Sequence, residues 1–410
     1  MISVFTPSHD PRYLDEAYES LRAQTYKDWE WVVLLNNGAK WEKPDDSRVH
    51  LFNSETGSII GALKGEAVSE CVSRYLVELD HDDKLMPNAL EEIVKAFESD
   101  PAIGFVSSDF SQINADGTPN LDQFSGDYGW EYYNDGEYRV CAGMDVHPHN
   151  ISYIWYAPNH VRAFRRSAYE ASGGYDSYLD VLDDQDLIAR LYNVTKFHHI
   201  HKNLYLQRIH GFNTQSGAEK NAKIQHQTVA MYDRTIEKAM LNWATDNKLL
   251  ALDLGGAHNP ADGYKTVDQH PPADFVGDIF DVLAKMDDNT VGLIRAVDFL
   301  EHIPQKISLW NEFYRVLASG GMVLSLTPST DGRGAYQDPT HNSFYNENSF
   351  WYFSVDEYRK YVPELKMDFH ISRLVTYFPS DWHREHDIPY VCCNLVAVKG
   401  PAKLGGLKSI

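Results

Sequence analysis

The chain has 410 residues, long for a single hydrophobic core, so two domains are expected. Hydrophobic residues make up 43% and charged residues 23%, the balance of a folded globular protein rather than a disordered one. A net charge of −22 disfavours broad contact with nucleic acid or an anionic membrane surface, and no apolar run is long enough to span a bilayer.

Met1-Ile2-Ser3-Val4-Phe5 enters a strand at once, with no basic region or apolar leader, so a cytoplasmic protein is expected. That strand stops at Thr6-Pro7-Ser8, and a helix follows with Leu14, Ala17, Tyr18 and Leu21 on one face. Trp31-Val32-Val33-Leu34-Leu35 reads as a parallel strand buried on both faces, ending in the turn signal Asn36-Asn37-Gly38. A helix over 57–73 leads to a strand at Tyr75-Leu76-Val77-Glu78-Leu79. Pro87 opens another helix, with Leu90, Ile93, Val94 and Phe97 inward, and Ile103 to Ser107 is the next strand. This alternation predicts an α/β domain with a doubly wound parallel sheet.

From 110 to 160 the order loosens into Gly, Asp and aromatic residues, as in a substrate-facing insertion, with a hairpin turn at Asn114-Ala115-Asp116-Gly117. Residues 218–246 read as a helical connector. A second α/β series begins with a strand at Leu249 to Leu254 and continues with strands at 293–297 and 322–326. Between the last two lies a helix bearing Ile307, Trp310, Phe313, Tyr314 and Leu317. The boundary is placed near 245, giving domains 1–245 and 246–410. Cys71, Cys141, Cys392 and Cys393 have neither disulfide nor metal-ligand spacing, and the adjacent pair reads as buried strand residues of a reduced protein.

The strand at 75–79 ends abruptly in Asp80-His81-Asp82-Asp83, three carboxylates at a strand's carboxyl end, where open α/β sheets bind ligands. Like charges this close repel unless a cation neutralises them, and a divalent metal with oxygen ligands does so well. Other pieces stand in order around this one. Before it come Val4-Phe5-Thr6-Pro7, Ser20-Leu21-Arg22-Ala23-Gln24-Thr25-Tyr26 and Trp29-Glu30. After it come Gly173-Gly174-Tyr175-Asp176, Asp183-Asp184-Gln185-Asp186-Leu187 with Arg190-Leu191, and Arg208-Ile209-His210-Gly211-Phe212-Asn213.

The set resembles the inverting, GT-A-type (family 2-like) glycosyltransferases that use nucleotide-diphospho-sugars, and the likeness covers the whole first domain. It implies Asp82 as a metal ligand, with Asp80 and Asp83 assisting, for Mn2+ or Mg2+. His210 matches a position that reaches the metal or the diphosphate; a packed loop histidine is the other reading. Asp184, beside Asp183, matches the base that takes the acceptor's proton, although acids there also suit a helix N-terminus. Thr6, Pro7, Asn36, Asn37, Lys64 and Asp80 make up the implied nucleotide pocket, with Lys64 either near phosphate or solvated on its helix. Asn36-Asn37 stand where the family carries an acid, which leaves the nucleotide open. In Lys196-Phe197-His198-His199-Ile200-His201-Lys202, two histidines alternate on one strand face. No nearby acid or cysteine completes a metal site, so the stretch reads as a solvated basic strand.

In the second half the carriers are Leu252-Asp253-Leu254-Gly255-Gly256, Val267-Asp268 and Gly277-Asp278, followed by Phe299-Leu300-Glu301-His302-Ile303-Pro304. Glu312-Phe313-Tyr314-Arg315-Val316-Leu317 and Gly320-Gly321 complete them. These resemble the class I, Rossmann-like S-adenosylmethionine-dependent methyltransferases. The glycine turn lets backbone approach a cofactor closely. The likeness implies Asp253, Gly255 and Gly256 at that turn, Asp268 on ribose hydroxyls and Asp278 by the adenine. Two departures stand out: Ala257 replaces a family glycine, and Asp268 follows Gly255 so soon that the intervening helix must be short or missing. Asp338 and His341, in the polar segment Gly332 to His341, orient or deprotonate a methyl acceptor, or else Asp338 caps a turn.

Together these readings predict a metal-dependent enzyme of two doubly wound domains. The first moves a sugar from a nucleotide-diphospho-sugar to a hydroxyl of a glycan or other acceptor, and the second methylates the product or a related acceptor. Surface polysaccharide is the default acceptor, ahead of a modified DNA base. The alternatives are an active transferase with a degenerate second domain, and a nucleotide-sugar- or glycan-binding protein without catalysis.

Overall fold

The computed structural model describes the chain except residues 125–128, 154, 155, 157–159, 212–216, 402 and 406–410. Phe212 and Asn213, the end of one of the motifs above, therefore lie outside the described residues. The chain divides into two compact units, and the division falls between Ile236 and Glu237. That point lies inside the helix Ala218–Asp246, about nine residues ahead of the expected boundary.

The first unit contains β1 (Ile2–Ser8), β2 (Trp29–Leu35), β3 (Val49–Asn53), β4 (Tyr75–Glu78), β5 (Lys84–Leu85) and β6 (Ile103–Asn114). It continues with β7 (Pro119–Asn120), β8 (Glu131–Asp135), β9 (Tyr138–Ala142), β10 (Arg162–Arg165) and β11 (Lys196–Ile209). Along the main sheet the order is β3-β2-β1-β4-β10-β6-β11-β5. β1 to β4 are mutually parallel, and β1 and β2 are buried at every position, which explains the apolar run Trp31–Leu35 in β2. The sheet is mixed, which corrects the all-parallel expectation: β10 lies antiparallel between β4 and β6, and β5 antiparallel beside β11. β10 has only four residues with an arginine at each end, so no apolar run announced it.

Helix Leu14–Arg22 buries Leu14, Ala17 and Leu21, and helix Ala89–Ser99 buries Leu90, Ile93, Val94 and Phe97. The stretch after 110 continues β6 to Asn114 and turns at Gly117 (φ 84°) into β7. Part of the presumed insertion is thus sheet.

The second unit holds β12 (Leu250–Leu254), β13 (Lys265–Asp268), β14 (Phe275–Val276), β15 (Val291–Val297), β16 (Leu317–Pro328), β17 (Phe369–Tyr377) and β18 (Tyr390–Ala397). Their order is β14-β13-β12-β15-β16-β18-β17. The first five are parallel, and β18 and β17 add an antiparallel edge. The winding reverses between β12 and β15, the kind of switch point beside which open α/β sheets bind ligands. Between β12 and β13 the described residues form turns and no helix, as the short spacing from Gly255 to Asp268 demanded. Helix Lys306–Val316 packs Leu309, Trp310, Phe313 and Val316 inward. Ile307, expected on that face, is exposed, and Leu317 is the first residue of β16. Cys393 is buried in β18 and Cys392 partly so. No helix among the described residues is long and apolar enough to cross a membrane.

Candidate active site

In the first unit the acids follow β4 directly. Glu78, its last residue, is buried and accepts three hydrogen bonds or ion pairs. Lys64 Nζ lies 2.8 Å from Oε1, an Arg162 amino nitrogen 2.7 Å from Oε1, and the Tyr175 hydroxyl donates to Oε2 at 2.5 Å. Burial opposes the Glu78 charge, but Lys64 and Arg162 outweigh it and hold the carboxyl below its usual range. Each cation also holds one of two adjacent acids: Lys64 lies 2.7 Å from Asp183 Oδ2, and Arg162 3.0 Å from Asp184 Oδ2. The result is a buried charge ladder, Asp183–Lys64–Glu78–Arg162–Asp184. Burial likewise works against the Lys64 ammonium, while Asp183 and Glu78 raise its pKa above the usual lysine value.

Local sequence explains how these residues meet. Gly61 lets helix Ile60–Ser69 approach the Asp176–Leu179 loop, since a Cβ there would collide with the Asp176 carbonyl. The Gly61 N–H bonds the Leu179 carbonyl at 2.9 Å, which brings Lys64, on the next turn, to Asp183. Leu182 precedes the helix Asp183–Tyr192 with φ 64°, a conformation costly for a leucine that the buried contacts around it sustain. Of the acids in that first turn, Asp186 is taken by Arg190 at 2.7 Å and Asp183 is buried. Asp184 keeps a side chain 20% exposed, the most accessible of the three.

On the far side of β4's end, Asp82 Oδ2 lies 2.8 Å from His210 Nε2, and the imidazole stacks on Tyr13. Arg208, wholly buried, donates through Nε to the Asp82 carbonyl at 2.7 Å, and its backbone N–H donates to Asp83 Oδ1 at 2.6 Å. The Arg208–His210 segment is thereby clamped onto the acids. Asp80 feels both halves: burial, Glu78 and Asp82 push its carboxyl up to about 7, against the pull of Lys64 and Arg162. Burial and the neighbouring Asp82 and Asp80 hold Asp83 well above the usual carboxylate range. Buried His160 stacks on Tyr205 and offers a nitrogen close to both Asp80 and Asp83. The donor set of carboxylates and imidazoles, with Asp80 and Asp83 raised by burial and by neighbouring acids, fits a divalent cation.

Other expected members of the site are placed differently. The Thr6 hydroxyl is buried, donating to the Leu79 carbonyl and accepting from Trp31 Nε1, so the side chain supports β4 instead of facing a nucleotide. Lys64 is not solvated, and its charge is committed to Glu78 and Asp183 rather than to a phosphate. Asn36 is buried at the end of β2 and Asn37 takes a left-handed turn (φ 52°), with Pro7 on the neighbouring strand β1. Sequence reasoning missed Glu78, Arg162, Tyr175 and His160. The arginine flanking an apolar pair at 162–165 was the available signal.

His199 also corrects an expectation. The missing acid comes across the sheet: its Nε2 lies 2.8 Å from buried Asp109 Oδ1, and its Nδ1 2.8 Å from Ser107 Oγ. The strand is half-buried and networked rather than merely basic.

In the second unit, Gly255 turns with φ 77° at the end of β12. Asp253 is fully buried, accepting from Arg295 at 2.9 Å and from the Ala261 N–H at 3.0 Å, so it braces the glycine loop from beneath and does not face a cofactor. Gly256 sits against it so closely that a Cβ would strike its carboxylate. Asp268, ending β13, accepts from the backbone N–H of His270 at 2.9 Å and of Ala257 at 3.3 Å. Each oxygen retains a lone pair for a hydroxyl. Asp278 caps helix Ile279–Leu283 through the Phe280 N–H. Asp338 is exposed and caps its own turn, accepting from Thr340 N–H and hydroxyl, which lowers its pKa. His341 Nδ1 lies 3.0 Å from the Ala335 carbonyl, and its ring meets that of His302 edge-on at 5.0 Å.

Residues 3–172 match the family model described as glycosyl transferase family 2. The match takes in Lys64, Glu78, the Asp80–Asp83 cluster and Arg162 and ends before Asp183. The chain is 26% identical over 223 residues to the chondroitin synthase of Pasteurella multocida (strain Pm70), covering 52% of this chain and 21% of that protein. It is 27% identical over 222 residues to an Escherichia coli chondroitin synthase, covering 52% of this chain and 30% of the relative. The O-antigen biosynthesis glycosyltransferase WbnJ of Escherichia coli is 32% identical over 101 residues, 22% of this chain and 39% of its own. The chain thus spans less than two fifths of the length of each of these relatives. Among solved structures, S. aureus TarS 1-349 in complex with UDP-GlcNAc aligns with a TM-score of 0.44 at 13% identity, over 60% of this chain and 71% of that one.

Proposed function

We propose that the first unit is a metal-dependent, inverting glycosyltransferase that moves a sugar from a nucleotide-diphospho-sugar to an acceptor hydroxyl. The observation that carries this reading is the pairing of Asp82 with His210 at the end of β4, beside the ladder that presents Asp184. The match to the family 2 model and the similarity to two chondroitin synthases and an O-antigen biosynthesis glycosyltransferase support it. Asp82 and His210, with Asp80 beside them, would hold Mn2+ or Mg2+. Such a cation neutralises charge on a departing diphosphate. Asp184 accepts the acceptor's proton as its oxygen attacks. Arg162 fixes one oxygen of Asp184 and the Gln185 N–H the other, so the carboxylate is oriented before substrate arrives. Asp83, held by Arg208, positions the loop rather than touching the donor.

For the second unit the strand order, the Gly255 turn and Asp268 support binding of S-adenosylmethionine, and methylation of the product or a related acceptor is the activity that follows. Asp268 has lone pairs left for ribose hydroxyls, and the turn at Gly255 allows close backbone approach, so the residues present fit an adenosyl group. When bound, the cofactor supplies an electrophilic methyl group.

A screen of nucleotide sugars with Mn2+ and Mg2+, read by released nucleoside diphosphate with candidate glycan acceptors, tests the first reading. Release with at least one donor is expected. Binding of a donor without turnover under every combination would instead make the unit a binding protein.

A further inference from the structure

In the second unit, one carboxylate oxygen of Glu301 and one ring nitrogen each of His302 and His341 lie within 4.8 Å of one another. Glu301 is buried and the two histidines are half-buried. Glu301 and His302 close the turn after β15 and His341 lies in the loop after β16, so the cluster gathers near the carboxyl ends of two parallel strands.

Each of the three groups is held from behind. The Ala335 carbonyl only accepts, so His341 Nδ1 carries the proton and Nε2 the lone pair. For His302 the partner is the Thr340 hydroxyl, 3.1 Å from Nδ1. That hydroxyl lies 2.6 Å from Asp338 Oδ1, to which it must donate, so it accepts from His302 Nδ1–H. His302 therefore also presents Nε2 as a lone pair. Glu301 Oε2 accepts from the Thr327 hydroxyl at 2.7 Å. Two imidazoles with fixed tautomers and an oriented carboxylate form the arrangement that metal ligands adopt when their outer partners set them. By contrast, both nitrogens of His199 are already engaged, by Asp109 and Ser107, so the Asp109–His199–His201 group is not poised this way.

We infer that Glu301, His302 and His341 form a binding site for a divalent transition-metal ion of the zinc class. Three protein ligands leave at least one position open to water or to oxygen atoms of a bound small molecule. Asp338 and Thr340 are positioning residues for His302. The inference does not depend on methyl transfer by this unit.

The test uses the full chain carrying Asp82→Asn, to silence the first unit's cation site, stripped with chelator and titrated with Co2+ alone. One tightly bound Co2+ with visible absorption bands typical of imidazole ligation is expected. His302→Gln, His341→Gln and Glu301→Gln should each remove the bands. Thr340→Val, which leaves all three ligands in place, should weaken binding by about 10–100-fold. No tight Co2+ in the Asp82→Asn protein, or bands and affinity unchanged across the glutamine variants, overturns the inference. If those variants fail to fold by near-ultraviolet circular dichroism, Thr340→Val decides: unchanged affinity overturns the site and a loss in the stated range supports it.

Discussion

Arg162 lies 3.0 Å from Asp184 while also pairing with Glu78 at 2.7 Å, so the strand that ends in the acid cluster and the helix that carries the proposed base share one buried cation. The site's two halves are thereby set by the same ladder, and changes to one rung should be felt at the other.

Replacing Asp184 by Asn keeps its volume and the hydrogen bond from Gln185 while removing the proton acceptor. Transfer to acceptor should fall by roughly 10²–10⁴-fold. Donor affinity, measured by calorimetry in the presence of Mn2+, should be unaltered. Wild-type transfer rates in this variant would remove Asp184 from the mechanism.

Lys64→Met leaves Asp183 without its cation and Glu78 with only Arg162, all in a buried setting. Breaking a buried pair this way costs about 3–5 kcal/mol. Denaturant unfolding followed by hydrogen exchange in β4 should show the loss in the first unit and none in β12 to β18. A variant as stable as wild type would mean that the lysine is replaced by water at little cost.

Asp80 gives the site a pH dependence whose sign is fixed. Its carboxyl is raised to about 7 in the fold, so the stability it contributes is present below the ordinary aspartate range and is lost as pH rises through about 7. With chelator present, the first unit should be less stable at pH 8 than at pH 6. Mn2+ competes with the proton, so its stabilising effect should be larger at pH 8. In Asp80→Asn both trends should flatten, read by unfolding midpoints with and without metal.

Much of this was legible where the signal is local. The acids after β4, the helix beginning at Asp183 and the glycine turn at Gly255 each follow from a few adjacent residues. What sequence could not supply was pairing across distance. Nothing near Lys64 says that Glu78 and Asp183 will enclose it, because those contacts depend on Gly61 and on an αL leucine at 182. The acid beside His199 was hidden for the same reason, since it arrives from β6 through strand pairing. β10 escaped because an antiparallel strand of four residues between two arginines carries no apolar period. Thr6 and Asp253 occupy motif positions yet face inward, and only packing reveals that.

Asp268→Asn should weaken S-adenosylmethionine binding by roughly ten- to a hundredfold, the loss expected when a charged acceptor of hydrogen bonds becomes neutral. Calorimetry with the full chain measures it. No heat and no thermal shift from the wild type at millimolar cofactor would end the methyltransferase reading while leaving the first unit's untouched.

In the proposed mechanism a cation held by Asp82 and His210 serves turnover of a nucleotide-diphospho-sugar. Its most direct test is release of nucleoside diphosphate by chelator-treated protein as Mn2+ is restored, in wild type and in Asp82→Asn. No release is expected without metal, with saturable recovery in wild type and a loss of at least about a hundredfold in the variant at the same Mn2+. Equal release by both proteins, or release unaffected by chelator, would contradict it.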